Sequence, residues 1–433
     1  MNEIVKQIKS KLNLSNQIDE ENLINSNENS IRESEIDIKD DFGFKCKCEG
    51  DWCDCDTIQF LKENNLIYES QLKTKHYWGN LEWIPFDSLI NGKLIGEGGV
   101  ASNYTATWLD GKPRGTIKKK PSPITVALKK IKNSNNVIEA FISELKIQHK
   151  CDSPDVLFLK IYGITKEPIT ENFMMVLEYA EYGNLRSYLK NFNLKWESKL
   201  KLLNKISNDL SEIHKLNFVH KNLHSGNILL SGAGHFGPKI TDIGLSQLIN
   251  DSSSSTSTNV FGVLPYIASE LLDKKPFSFA SDVYSFGIIM VEVSTGKLPY
   301  GDVPHDERLA LAICNGLRPR VTKGTPKSFI DLVDKCLDAD PEKRPSTQDL
   351  SKVINGWYMQ LLCKEESGTA KEFLNSDEID PQESSETKIH PQAIYTSRLL
   401  NFNNLPKPTN STGVQFEGSE VPESQLTDLL ISI

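Results

Sequence analysis

Apolar positions divide the chain into a patterned centre and two polar ends. In ITVALKKI (124–131), Val126, Leu128 and their apolar neighbours fit a buried strand. The stretch just ahead of His220 carries apolar residues at helical spacing and predicts a helix ending at that histidine. LEWIPFDSLI (81–90) leads into another strand, and Thr57 to Gln71 reads as helical. Ile4, Ile8 and Leu12 also recur at helical spacing, enough for a short amphipathic helix. The rest of 1–41, through ENSIRESEIDIKDD, is polar and reads as a disordered acidic tail. After Trp357 the chain turns acidic and Ser-rich, punctuated by Pro381, Pro391, Pro406 and Pro408, and 363–433 reads as mostly disordered. Within it HPQAIYTSRLLNFNNLPKP (390–408) is more apolar, the stretch there suited to folding back on the chain or binding a partner. No internal repeat is visible.

A length of 433 residues suggests one large or two to three ordinary domains. Hydrophobic content of 38% with 25% charged residues fits a globular protein with polar extensions. No apolar run reaches membrane-spanning length, and Met1 to Lys11 has no signal-peptide core, so an intracellular, cytoplasmic protein with reduced thiols is expected. The net charge of −9 is uneven: 1–41 carries 5 basic and 10 acidic side chains, 363–433 carries 5 and 12, and the middle is about +3. The acidity thus belongs to the ends and gives no reason to propose a nucleic-acid partner. Four of eight cysteines, Cys46, Cys48, Cys53 and Cys55, fall in CKCEGDWCDC, a segment that with its linker spans 42–83. Two thiolate pairs on a turn could hold Zn²⁺ tetrahedrally. C-x-C is tighter than the usual C-x-x-C, however, and Asp51, Asp54 and Asp56 add repulsion, so free surface thiols are the competing reading.

Within the centre, LIGEGGVASNYTATW (94–108) places a glycine-rich turn between two strands, where backbone N–H groups can approach phosphate oxygens. HKNLHSGNILL (220–230) follows the predicted helix, and Asp242-Ile243-Gly244 comes fifteen residues after Asn227. The pattern H-x-x-L-x-x-x-N, an apolar run, then D-x-G resembles the catalytic loop and metal-binding turn of a protein kinase. The chain resembles the tyrosine-kinase-like group, and within it the expanded kinase families of arbuscular mycorrhizal fungi. Seven motifs in order at kinase spacing imply a bilobal α+β fold over 84–362. It would have a five-stranded antiparallel sheet plus one helix in the N-lobe and a mostly helical C-lobe, with disordered tails.

The resemblance implies roles residue by residue. Gly96 and Gly98 match the first two glycines of the phosphate loop. Ala127 leaves room above adenine, and Lys129 pairs with the α- and β-phosphates, positioned by Glu144 of the following helix. Leu177 is the gatekeeper, Glu178 to Ala180 form the hinge, and Leu229 forms the floor beneath the base. Asn227 and Asp242 supply hard oxygen ligands for Mg²⁺. Glu270 pairs with Arg344, and Asp282 braces the backbone near His220. ATP, Mg²⁺ and an unknown protein substrate or signalling partner are the implied ligands.

Several positions depart from the family. The residue that orients the acceptor hydroxyl and takes its proton should be Asp; here it is Asn222, whose amide oxygen can orient a hydroxyl but cannot take a proton. Ala101 replaces the third phosphate-loop glycine, and Asn103 the Val that covers adenine. Lys221 stands for the usual Arg, and Val263 for a Thr that contacts the catalytic Asp. His224 matches neither serine/threonine nor tyrosine kinases, so the loop leaves the acceptor type open. DSSSSTSTN (251–259) in the activation segment reads as a solvated loop or as phosphorylation sites. Two functions therefore compete. One is a Mg-ATP-binding pseudokinase or weak kinase in intracellular signalling. The other is an active serine/threonine or dual-specificity kinase, and a scaffold without nucleotide is a third possibility.

Overall fold

The computed structural model describes residues 82–97, 101–111, 122–131, 159–232, 237–242, 247–248, 260–319, 321–379, 388–402 and 404–410, all within the unit Leu61–Ile433. The helix expected to carry Glu144, the cysteine cluster, Gly98, Ile243 and the serine run 251–259 lie outside the described residues.

The N-terminal part is one sheet. Its strands are β1 (Glu82–Trp83), β2 (Leu89–Glu97), β3 (Ala101–Trp108), β4 (Ile124–Ile131), β5 (Ile161–Lys166) and β6 (Phe173–Glu178). Their order is β1-β5-β6-β4-β3-β2. β2 to β6 form the expected five antiparallel strands, and β1 adds a two-residue parallel pairing to β5 at the edge. Period-two alternation decides which face of β4 does what. Val126 and Leu128 are buried with Ile84, Ala106, Trp108, Met174 and Val176, and Trp108 meets Tyr162 with ring centroids 5.8 Å apart. Ala127 and Lys129 point the other way and stay half-buried.

The larger, mostly helical part follows. It contains α1 (Leu185–Asn191), α2 (Trp196–Lys215), β7 (Phe218–Val219), β8 (Ile228–Ser231), β9 (Gly237–Ile240), β10 (Gln247–Leu248) and β11 (Val260–Gly262). Then come α3 (Ser269–Leu272), α4 (Phe279–Thr295), α5 (Glu307–Cys314), α6 (Lys327–Cys336), α7 (Thr347–Leu362), α8 (Gly368–Glu378) and β12 (Arg398–Leu400). α4 is the central helix: Ser281 through Ser294 are all buried. Apolar on every side, it needs neighbours all round. Ser278 and Ser281 form a capping box at its start, and Gly296, at φ 68°, closes its end in the left-handed conformation that glycine adopts without steric cost.

Part of the tail is ordered. The acidic composition of 363–433 predicts mostly disorder, with 390–408 suited to folding back; α8 and residues 388–402 and 404–410 lie against the helical part. Phe373 of α8 is fully buried, with its ring 5.2 Å from Trp196 and 5.4 Å from Trp357. Leu400 is buried in the same core, and β12 pairs antiparallel with β11. A few large anchors and a short strand pairing are enough to order a segment whose mean composition is polar. No described helix is long and apolar enough to cross a membrane.

Candidate active site

Three tight connections assemble the catalytic loop. The β8–β9 hairpin sets Ile228 against Ile240. This brings Asn227, just before β8, beside Thr241, just after β9: Thr241 donates to Asn227 O from its N–H (2.9 Å) and from Oγ1 (3.0 Å). Asp242 is therefore delivered next to the loop by strand register. His220 completes the link. Its Nδ1 accepts from Asn222 N–H (3.3 Å), so Nε2 carries the proton and donates to Thr241 O (3.0 Å).

Asp282 braces this loop as expected. It accepts from the backbone N–H of His220 (2.7 Å) and of Lys221 (3.0 Å), and from His214 Nε2 (2.9 Å). Lys221 sits at φ 67°, a conformation costly for a side-chain-bearing residue. The two hydrogen bonds from successive N–H groups to one carboxylate stabilise that turn. The Lys221 ammonium rests over the Phe277 ring at 5.6 Å.

At the cleft, Lys129 Nζ forms an ion pair with Asp242 Oδ1. Register places Asn103, Lys129 and Met175 abreast across three strands, with Thr105, Ala127 and Leu177 in the next row. Ala127 thus lies directly beside Leu177, the residue expected as gatekeeper. Asp242 has a left-handed backbone, φ 66°, and its side chain is 34% exposed. Burial pushes its carboxyl up, but Lys129 more than offsets this and holds it below the usual carboxylate range. Asn227 Nδ2 donates to Asn222 O (3.0 Å), leaving the Asn227 amide oxygen as its available hard donor. The donor set therefore fits a Mg²⁺ ion: one carboxylate kept ionised and one amide oxygen on adjacent elements. Among the described residues nothing lies within 4 Å of a Cβ built on Gly96, so the end of β2 leaves room for a phosphate to approach.

The hinge residues are less uniform than their sequence suggests. Glu178 ends β6 with its side chain buried, held by Lys239 Nζ at 2.7 and 2.9 Å and by Ser231 Oγ. Its carboxylate therefore joins the two parts of the fold, and its backbone N–H donates to Lys160 O (2.8 Å), so neither is left for a ligand. Ala180 is 9% exposed. Leu229, between the buried Ile228 and Leu230, is half-buried and faces away from the helical core. Glu144 and Gly98 lie outside the described residues.

Asn222 is buried, and its Oδ1 accepts a hydrogen bond from Ser397 Oγ at 3.0 Å. His224 touches the same hydroxyl. Its Nδ1 accepts from Gly226 N–H (3.1 Å), so Nε2 donates to Ser397 Oγ (3.2 Å). Burial holds His224 neutral, with a pKa pushed down to about 3. Sequence reasoning missed Ser397, Tyr395 and Arg186, which meet here. The signal available was the apolar character of 390–408.

The bidentate pair of Arg344 with Glu270 (2.8 and 2.7 Å) is formed as expected. Residues 89–354 match the family described as protein tyrosine and serine/threonine kinase. The chain belongs to the protein kinase family.

Among relatives, a probable serine/threonine-protein kinase of Dictyostelium discoideum is 31% identical over 302 residues, 68% of this chain and 30% of that protein. A second from the same organism is 30% identical over 279 residues, 62% of this chain and 8% of that protein. A serine/threonine-protein kinase of Arabidopsis thaliana is 27% identical over 244 residues, 56% of this chain and 41% of that one. The chain thus spans well under two thirds of these relatives' length. Membership of the family implies use of ATP and Mg²⁺. Among the described residues no cluster of His, Cys, Asp or Glu could hold a further metal ion, and the four cysteines proposed for Zn²⁺ lie outside them.

Proposed function

We propose that this kinase domain binds Mg-ATP in the cleft between sheet and helical part and serves intracellular signalling as a pseudokinase or weak kinase. The observation that carries the reading is the Lys129–Asp242 ion pair at the cleft together with an amide at Asn222 that receives a hydroxyl. Lys129 and Asp242 stand ready for phosphate and metal, while Asn222 receives a serine hydroxyl through Oδ1. Bound Mg²⁺ would neutralise charge on the β- and γ-phosphates. Lys129 would then exchange Asp242 for phosphate oxygens, and Asp242 with Asn227 would hold the cation. Asn222 would orient the acceptor but leave its proton without a base.

Phosphoryl transfer passes through a loose transition state, so positioning and charge carry most of the catalysis. A missing general base costs roughly 10²–10⁴-fold. Turnover falls accordingly from the usual kinase range of about 1–100 s⁻¹. An active serine/threonine kinase is the second reading; the names of the relatives and the well-formed hydroxyl contact at Asn222 support it. Assignment to the tyrosine-kinase-like group, a cytoplasmic location and a zinc ion at Cys46, Cys48, Cys53 and Cys55 belong to the same proposal and rest on the sequence.

A γ-phosphate transfer assay on purified protein, with Lys129→Met as control, separates the two. Transfer at ordinary kinase rates that Lys129→Met abolishes would overturn the pseudokinase reading. No Mg-ATP binding at millimolar concentration would overturn both.

A further inference from the structure

We infer that β11 edges the protein-acceptor groove, that the groove takes an extended peptide presenting serine or threonine, and that residues 395–400 of this chain occupy it in cis. The inference rests on the reading of Asn222 as the acceptor-side residue of the cleft.

Three observations converge. β12 adds to β11 as an antiparallel strand, Gly262 opposite Arg398, Phe261 opposite Leu399 and Val260 opposite Leu400. Strand addition of this kind supplies sequence-independent affinity, with side-chain pockets giving selectivity. The register then sets Ser397, the residue before the strand, so that Oγ lies between Asn222 Oδ1 and His224 Nε2. Its hydroxyl donates to one and accepts from the other, as an acceptor hydroxyl held beside the catalytic position would. Finally, side chains on both sides of Ser397 are specifically received.

Two residues earlier, the Tyr395 ring lies under the Arg186 guanidinium at 4.9 Å, and its hydroxyl donates to Pro299 O (2.8 Å). Arg186 Nη1 donates to Tyr395 O (3.2 Å), while Arg186 Nε and Nη2 are buried without a hydrogen-bond partner among the described residues. A cation so poorly paired gains from an aromatic face. One residue later, Arg398 donates to His305 O, and three later Leu400 is buried. His305 further ties the segment down: its N–H donates to Gln392 O (3.0 Å), and its ring nitrogens lie 2.9 Å from Ile394 O and 3.0 Å from Tyr300 O.

This arrangement also decides the acceptor type that the loop sequence left open. Strand pairing fixes how far the peptide backbone stands from Asn222, and a serine's single methylene bridges that gap. A tyrosine on the same backbone would carry its hydroxyl a ring's length too far. The favoured partner segment therefore has an aromatic residue two before the Ser or Thr and a leucine three after it. A partner must displace 395–400 to bind.

The test uses the full chain and a fluorescent peptide of residues 391–402, PQAIYTSRLLNF, followed by anisotropy. Leu400→Asp should release the segment, and Tyr395→Ala with Arg398→Ala, at partly exposed positions, does the same if the buried substitution fails to fold. Amide exchange at 260–262 reports release independently. The expected result is faster exchange at 260–262 and at least tenfold tighter peptide binding than wild type, lost when the peptide carries tyrosine in place of Ser397. Unchanged exchange in the double variant, or faster exchange without peptide binding, overturns the inference. Equal binding of the tyrosine peptide overturns the acceptor assignment. Because peptide binding requires no nucleotide, a protein that binds peptide but not Mg-ATP would sink the proposed function and leave this inference standing.

Discussion

Two ion pairs in this protein look alike on paper and differ in surroundings. Arg344 and Glu270 meet bidentately, their side chains 0% and 8% exposed, and Arg344 also donates to Asp338 O (2.8 Å) and Ala280 O (2.9 Å). Lys129 and Asp242 meet through one oxygen at the cleft, 14% and 34% exposed. The first pair has its hydrogen-bonding capacity filled by the protein and serves as frame. The second keeps about a third of its carboxylate side chain exposed at the cleft, where a metal ion could reach it. Exposure next to a cleft, rather than charge itself, separates the two pairs.

Breaking the framed pair should have the largest effect. Glu270→Ala leaves a buried guanidinium unpaired, and stability should fall by about 3–5 kcal/mol. Urea denaturation checks this; a loss under 1 kcal/mol would show that Ala280 O and Asp338 O suffice. Next comes the position that decides turnover. Asn222→Asp restores a proton acceptor and should raise single-turnover transfer by roughly 10²-fold or more, about 2.7 kcal/mol of barrier. Mg-ATP affinity should barely move, since Asn222 faces the hydroxyl. Wild type that already matches the variant would mean that positioning alone suffices.

His224 tests how far the frame reaches toward the groove. Folded His224 stays neutral down to about pH 3, whereas the unfolded chain takes up a proton near pH 6.5. The stability tied to its neutrality is therefore full above pH 6.5 and is lost as pH falls below it. Between pH 6.5 and 5 the loss should be about 2 kcal/mol. His224→Asn, which can still accept from Gly226 N–H, should flatten the pH–stability curve by that amount; an unchanged slope would show that the ring titrates normally. Smallest on stability is Lys129→Met. The exposed side of its pair limits the loss to about 1 kcal/mol or less, yet the thermal shift produced by Mg-ATP should largely vanish. A retained shift would place the phosphate cation elsewhere.

Much of the frame was legible because its signals are local. Alternation in ITVALKKI settled which face of β4 is core and left Ala127 and Lys129 on the cleft side. Asn227 and Asp242 were placed together by the resemblance of their motifs, and the β8–β9 hairpin is what joins them; Asp282, Glu270 and Arg344 took their expected partners. Other features were hidden because they depend on where distant segments meet. Glu178 read as a hinge residue, but Lys239, sixty-one positions later, claims its carboxylate. Lys239 sits on a strand whose register no local pattern announces.

The tail shows the same division at larger scale. By itself the sequence determined a kinase fold and an amide at Asn222 where the family places a base, since each is written in short motifs whose geometry follows from local spacing. It could not determine that 395–400 lies in the cleft's acceptor side. Ser397 and Asn222 are 175 positions apart, and Ser397 lies in a tail whose acidic, Ser-rich composition reads as mostly unfolded. Docking depends on a three-residue pairing with β11, the burial of Leu400 and the fit of Tyr395 against Arg186. Only the tertiary structure, by bringing those surfaces together, makes the ordering of that segment favourable.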